Sequence, residues 1–218
     1  MNGLKFVPKK TSLLNSSKNL SILSPDVVTV MIKKIKKYKI TLRPSFVLKN
    51  LKRKTAADLK EEEIQQKIKL EIEHLKPFIV PSAVYDTVPP TAIPEPLKMI
   101  LNSCPKNTVS VSLSAATIGK ELEIKIKNLR ENNDLEKCAL VESIAEEALE
   151  QSLNFISKLL TDESKLEGCE SSALFTLNRD LAFETLHFLE SEKVEILLEN
   201  NQMSPLYSSI AYAFWTPL

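Results

Sequence analysis

Side chains suited to acid–base or nucleophilic chemistry are scarce: among 218 residues there are two histidines, His74 and His187, and three cysteines, Cys104, Cys138 and Cys169. Any Ser/His/Asp or Cys/His arrangement would have to use one of those histidines, and both fall in segments with helical spacing. His187, between Leu186 and Phe188, reads as a core or boundary residue. His74, among Glu71, Glu73 and Lys76, reads as exposed. Neither has the partner that a general base needs. The cysteines are dispersed, and neither C-x-x-C nor H-E-x-x-H occurs, so no zinc signature fits. The neighbouring carboxylates Glu146 and Glu147 diverge on a helix and make no glycosidase pair. The reading assigns no catalytic residue and no metal ligand, which leaves binding and positioning as the available functions.

Composition narrows the field further. Gly3, Gly119 and Gly168 are the only glycines, so neither the dinucleotide fingerprint nor the P-loop can be written anywhere in the chain. With 43% hydrophobic and 26% charged residues, the chain has the balance of a globular protein long enough to bury its own core. Unpaired cysteines suit a reducing, cytoplasmic setting, and no apolar run is long enough for a membrane span. Charge is divided: residues 1–60 hold 15 basic and two acidic residues, against 14 basic and 26 acidic in residues 61–218. Such a division marks an acidic or nucleic-acid partner, or two halves that complement each other within one fold. The basic stretch lacks the interleaved aromatics on which bases stack, which disfavours nucleic acid.

The elements that must position any site follow from periodicity. Residues 1–23, rich in Ser, Asn and Lys, read as a flexible arm, and residues 24–218 as the folded domain. Ser24-Pro25 reads as a helix start, with Val27, Val28, Met31, Ile35 and Tyr38 at helical spacing until Arg43-Pro44 breaks the pattern. A second helix runs from a capping box at Asp58 and Glu61 through Ile64, Ile68, Ile72 and Leu75 to Pro77. A proline-rich connection over 78–96 leaves Ala83–Asp86 as its one strand. Val109, Val111 and Leu113 alternate as another strand, with Ser110 and Ser112 on its other face. Thr117-Ile118-Gly119 turns the chain into a helix through Ile124 and Leu129. The longest helix opens at a capping box formed by Asn133 and Glu136. Its apolar stripe is Val141, Ile144, Ala145, Ala148, Phe155 and Leu159, with the Glu146, Glu147 and Glu150 side facing water. Asp180 starts a shorter helix with Leu181, Phe183, Leu186 and Leu189. Val194, Ile196 and Leu198 read as a strand, Asn200-Asn201 as a turn, and Leu206–Trp215 as the last strand. Helices and strands do not alternate regularly, so the class is α+β with a partly antiparallel sheet.

Three blocks occur in order: Thr117-Ile118-Gly119 between strand and helix, the Ala/Glu-rich helix from Cys138 to Leu160, and Met203-Ser204-Pro205-Leu206-Tyr207-Ser208. Over roughly residues 25–215 this resembles the activation domain of cobalamin-dependent methionine synthase, particularly its small stand-alone bacterial relatives. Met203, Pro205 and Ser208 match the family's M-x-P-x-x-S. The resemblance implies a C-shaped α+β domain, built on a twisted, mainly antiparallel sheet packed with helices. It implies S-adenosylmethionine as ligand and a corrinoid methyltransferase module as partner, with cobalamin carried only by that partner. The implied activity is assistance to reductive methylation, which restores the inactive corrinoid.

The family's ligand motif, R-x-S-P-G-Y, falls on Cys169-Glu170-Ser171-Ser172-Ala173-Leu174. Ser171 matches; Cys169 stands for Arg, Ser172 for Pro, Ala173 for Gly and Leu174 for Tyr, and a one-residue shift would let Phe175 supply the ring. Losing a guanidinium fork and an aromatic contact costs on the order of 2–3 and ~0.5–2 kcal/mol. The expected ligand-binding residues are thus Ser171, Ala173, Leu174, Met203, Pro205 and Ser208. The alternative is a non-catalytic adaptor on the same fold, which docks a corrinoid protein without binding S-adenosylmethionine.

Overall fold

The computed structural model describes residues 32–55 and 61–218. The expected arm over 1–23, the helix start at Ser24-Pro25 and the cap at Asp58 lie outside those residues. In chain order the elements are β1 (Lys33–Lys36), α1 (Pro44–Lys54), α2 (Glu61–Leu75), β2 (Ser82–Val88), β3 (Ser110–Thr117), α3 (Glu121–Glu131) and α4 (Leu135–Leu166). They continue with β4 (Cys169–Ser171), β5 (Phe175–Thr176), α5 (Ala182–Phe188), β6 (Leu197–Glu199), β7 (Gln202–Ser204) and β8 (Ser208–Pro217). The main sheet runs β1-β2-β3-β8-β4, with β5 also on β8, and every pairing in it is antiparallel. It curls into a half-barrel packed with helices, an α+β single domain as expected.

Period-two alternation divides the sheet's faces. On one, Val84, Val88, Val111, Leu113, Ala115, Ile210 and Phe214 form a core with Leu97 and Ile100, from a 3-10 segment at Glu95–Ser103, and with Ala182 and Leu186 of α5. On the other face β3 and β8 present small residues: Ser112, Ser114, Ala116, Ala211 and Ala213. Against that carpet lies α4, with Ile156 and Leu160 packed over Ala83, Ala116 and Ala213. The small side chains let Cα atoms of α4 come within 8 Å of those of β3 and β8. A third core joins Val47, Leu48 and Leu51 of α1, Ile64, Ile68 and Ile72 of α2, and Leu122 and Ile126 of α3 to Val141, Ile144, Ala145 and Ala148 of α4. The one long helix therefore belongs to both the sheet layer and the helical cap.

Several expectations are corrected. Ile35 lies in strand β1, not a helix, because it pairs with Ala83 along the open edge of β2, and that pairing overrides the helical spacing. Arg43-Pro44 opens a helix rather than only breaking one: Arg43 is the N-cap residue of α1 and Pro44 its first position, where a missing N–H costs nothing. The cap of α4 is Asp134, which accepts a hydrogen bond from the Lys137 amide at 3.3 Å, while Asn133 takes a left-handed φ of 58°. Along α4 the deepest positions beyond Ala148 are Ile156 and Leu160, one residue on from the expected Phe155 and Leu159, which are half-buried. Phe183 is exposed, and Asp180 falls in a 3-10 turn (Arg179–Leu181) ahead of α5. His187 is exposed rather than in the core, lying flat against the Phe183 ring. Val194 closes a 3-10 turn and only Leu197–Glu199 is strand, because Glu195 adopts φ 62° between them. The Asn200-Asn201 turn is as expected: both residues have positive φ, as a tight hairpin between β6 and β7 demands. Gly119 is required where it stands, since φ is 83° and a Cβ would meet the Val80 carbonyl oxygen at 3.3 Å.

The carpet makes a direct prediction. Ala116 is fully buried opposite Ala83 and Ser209, beneath α4. Ala116→Leu should destabilise the protein by about 1–3 kcal/mol through overpacking. Chemical denaturation should show a lowered midpoint; an unchanged midpoint would mean that α4 does not lie close on the sheet.

Candidate functional site

The window from Cys169 to Phe175 forms the outer edge of β8 in two pieces. Ser171 pairs with Trp215 and Phe175 with Tyr212, so three residues, 172–174, stand opposite two. The result is a bulge, and Ser172 closes it. Its amide donates to the Phe214 carbonyl at 2.8 Å, and its hydroxyl accepts the Phe214 amide at 3.0 Å, replacing a ladder bond. Cys169 is buried, and Leu174 packs with the cluster under α4. Ala173 is exposed at the tip of the bulge. Beside it the Phe175 ring, 45% exposed, stands 5.3 Å from Tyr212. The indole N–H of Trp215 is buried with no hydrogen-bond acceptor among the described residues. This edge offers an accessible aromatic pair on one face, whereas the Trp215 indole lies on the other, in the cluster beneath α4, and there is no guanidinium at the Cys169 position.

Met203, Pro205 and Ser208 lie elsewhere. Met203 sits on β7 and packs on the core beyond the sheet; Ser208 donates its hydroxyl to the Pro205 carbonyl at 2.7 Å, and Pro205 and Ser208 are buried. Between them the Tyr207 carbonyl accepts from the Ile118 amide at 3.3 Å and the Thr117 hydroxyl at 3.2 Å. The first and third sequence blocks therefore touch. Ser208 opens β8 and Trp215 lies seven residues on, roughly 23 Å at the usual ~3.3 Å per residue. The expected ligand residues thus form two groups at opposite ends of one strand, and the structure does not gather them into one pocket.

A charged cluster that the sequence reading missed lies between those ends, on the flank of α4. Glu147, expected to face water, is buried: its carboxylate accepts from the Arg43 side chain at 2.9 Å, the Arg43 amide at 3.2 Å and Gln151 at 2.9 Å. The Arg43 guanidinium also lies 3.5 Å from the Phe46 ring centroid. A carboxylate so deeply buried is tolerable only while paired and hydrogen-bonded. The available signal was positional, because Glu147 falls three residues after Ile144, inside the apolar stripe. Farther along, Glu142 accepts from Lys54 at 3.0 Å and Arg130 at 2.6 Å, while Glu146 pairs with Lys54 at 2.7 Å. Burial, reinforced by Glu142, pushes the Cys138 thiol up, so this cysteine is inert packing. Burial, with Glu142 and Glu146 nearby, likewise raises the Tyr207 phenol. Tyr207 thereby connects the third block to the long helix, and all three blocks meet at the start of β8. Among the described residues no group of side chains could hold a metal ion, and no helix is long and apolar enough to cross a membrane.

The Glu142 network has a readable pH signature. Burial opposes the charged form, but Lys54 and Arg130 outweigh it and hold the Glu142 carboxyl below the usual carboxylate range. A lowered folded pKa means that the contribution is whole above the unfolded value of about 4.3 and is lost as pH falls through the folded value. Glu142→Gln should cost about 0.5–1 kcal/mol at pH 7 and flatten the acid limb of a stability profile below about pH 4.3. An unaltered acid limb would contradict the network.

Thirteen solved chains match this fold. One is described as the MetH reactivation domain bound to AdoHcy; it superposes with a TM-score of 0.56 at 10% identity, covering 86% of this chain and 79% of that one. No family model matches the sequence, and no curated protein does. At that identity the likeness is one of fold: this chain shares the architecture of a methionine synthase reactivation domain across most of its length.

Proposed function

We propose that the chain is a methionine synthase activation-domain-like protein that docks a corrinoid methyltransferase and assists its reductive methylation with S-adenosylmethionine. The observation that carries this reading is the fold likeness, which spans 86% of the chain. S-adenosylmethionine supplies a methyl group on a sulfonium, and its transfer needs positioning more than proton movement. Two exposed histidines and a buried Cys138 suit such a task.

The residues at the β8 edge fit this ligand in part. Phe175 and Tyr212 offer an aromatic face to the nucleoside, and Ala173 a small exposed tip. The carboxylate end has no counterpart at Cys169, which is buried in the cluster beneath α4. Losing that charge-assisted pair, worth about 2–3 kcal/mol, moves a micromolar ligand to the high-micromolar or submillimolar range. Met203, Pro205 and Ser208 serve the opposite end of β8, where they hold the turn that the helical cap rests on. The adaptor reading has its own support: Ser172 is consumed by the bulge and Leu174 by the core, so two positions of the motif already work for the fold.

Calorimetric titration separates the readings. S-adenosylmethionine should bind weakly, and Phe175→Ala should weaken it several-fold further. A flat trace at millimolar ligand from folded protein would reject the donor role and leave the adaptor. Failure to co-purify with a cobalamin-binding domain, even at low salt, would reject both.

A further inference from the structure

Residues 32–54 contain ten Lys and Arg and no Asp or Glu. Their path in the structure gives that run a shape. Lys33 reaches Glu163 at 3.0 Å, Tyr38 contacts Ser152 and stacks on Phe155, Arg43 holds Glu147, and Lys54 holds Glu142 and Glu146. The segment is therefore laid antiparallel along α4 and fastened at four levels. From Glu142 to Glu163 the helix rises roughly 32 Å at ~1.5 Å per residue.

Glu163, Glu147, Glu146 and Glu142 are used by Lys33, Arg43 and Lys54, while Glu150 stays exposed at the rim of the groove beside Lys49 and Arg53. On that flank Lys37, Lys39, Lys49 and Arg53 remain exposed, and among the described residues none of the four makes an ion pair; Lys34 and Lys36, opposite Val84 and Ser82, point to the sheet face away from α4. Beside Arg53 and Lys49 a groove of about 690 Å³ opens between α1 and α4.

We propose that this strip, which runs beside α4 from the level of Ser152 to that of Glu142, is a docking surface for an acidic protein face. Its composition favours protein over nucleic acid. Three of the four cations without an ion pair are lysines, point charges rather than the planar fork that reads phosphate or guanine. The rings beside the strip are occupied, Phe46 by Arg43 at 3.5 Å and Tyr38 by Phe155 at 4.3 Å, so neither is offered to a base. From Ser152 to Glu142 the helix rises roughly 15 Å at ~1.5 Å per residue, a length matched by about three turns of an acidic helix. This goes beyond the corrinoid reading and does not depend on it.

The test uses the full chain with poly-L-glutamate as acidic polypeptide and a DNA duplex of about ten base pairs as rival polyanion, at about 50 and 300 mM salt. Two charge-reversed variants of equal net charge are compared. One changes the strip (Lys37→Glu, Lys39→Glu, Lys49→Glu, Arg53→Glu); the other changes exposed lysines elsewhere (Lys98→Glu, Lys106→Glu, Lys120→Glu, Lys127→Glu). Poly-L-glutamate should bind the native chain, weaken on the order of tenfold at the higher salt, and be lost by the strip variant while the other variant keeps most of its binding. Equal loss in both variants would reduce the effect to net charge and overturn the strip. Tighter binding of the duplex would assign it to nucleic acid and overturn it too, as would no binding of poly-L-glutamate at low salt. If the strip variant fails to fold, the salt dependence and duplex comparison on the native chain decide.

Discussion

The structure depends on how closely one helix can approach one sheet. Helix α4 carries 32 residues, about 48 Å of helix, and no single core of this chain would cover it. Its N-terminal half is buried by α1, α2 and α3, and its C-terminal half by the sheet. The second contact requires β2, β3 and β8 to show Ala and Ser on one face while showing Val, Leu, Ile and Phe on the other. Buried hydroxyls on the small face are satisfied within the sheet: Thr87 and Ser112 bond each other at 2.7 Å, and Ser114 donates to the Ala211 carbonyl at 3.2 Å. They therefore add no desolvation cost to the contact.

Charge completes what packing begins. Segment 32–54 crosses the flank of α4 and adds β1 to the sheet, packing Ile32, Ile35, Tyr38, Ile40 and Leu42 against the three cores on its way. It is held by pairs to Glu163, Glu147, Glu146 and Glu142. The buried Glu147 fixes its position, since removal of Arg43 would leave a carboxylate without its cation. The split in charge between the first 60 residues and the rest is thus partly internal complementarity. Lys37, Lys39, Lys49 and Arg53 add to it an exposed cationic strip on the flank of α4.

Much of this was legible in the sequence. Strong periodicity located α2, α3, α4 and the central strands, because Ile64 to Leu75 and Val141 to Ala148 bury one stripe each and nothing competes with them. The α+β class followed from irregular alternation, and the resemblance in three blocks anticipated a fold likeness that sequence comparison does not detect. What stayed hidden was set by distant partners. Ile35 is a strand residue only because β2 has an open edge, Glu147 is buried only because Arg43 arrives from 104 residues away, and His187 is exposed because α5 is a single short helix whose outer side carries Phe183. For the candidate site, the motif window was found but its roles were not. A bulge decides that Ser172 faces a backbone amide and that Phe175, not Leu174, presents the ring.

Native-state hydrogen exchange tests the shared core most directly. If α4 and the sheet are one packed unit, amides of Ile156 and Leu160 should exchange through the same global opening, with the same free energy, as those of Leu113 and Ile210. Exchange of the α4 amides at a markedly lower free energy than the strands would show a separable helical layer, and the architecture on which the function rests would be contradicted.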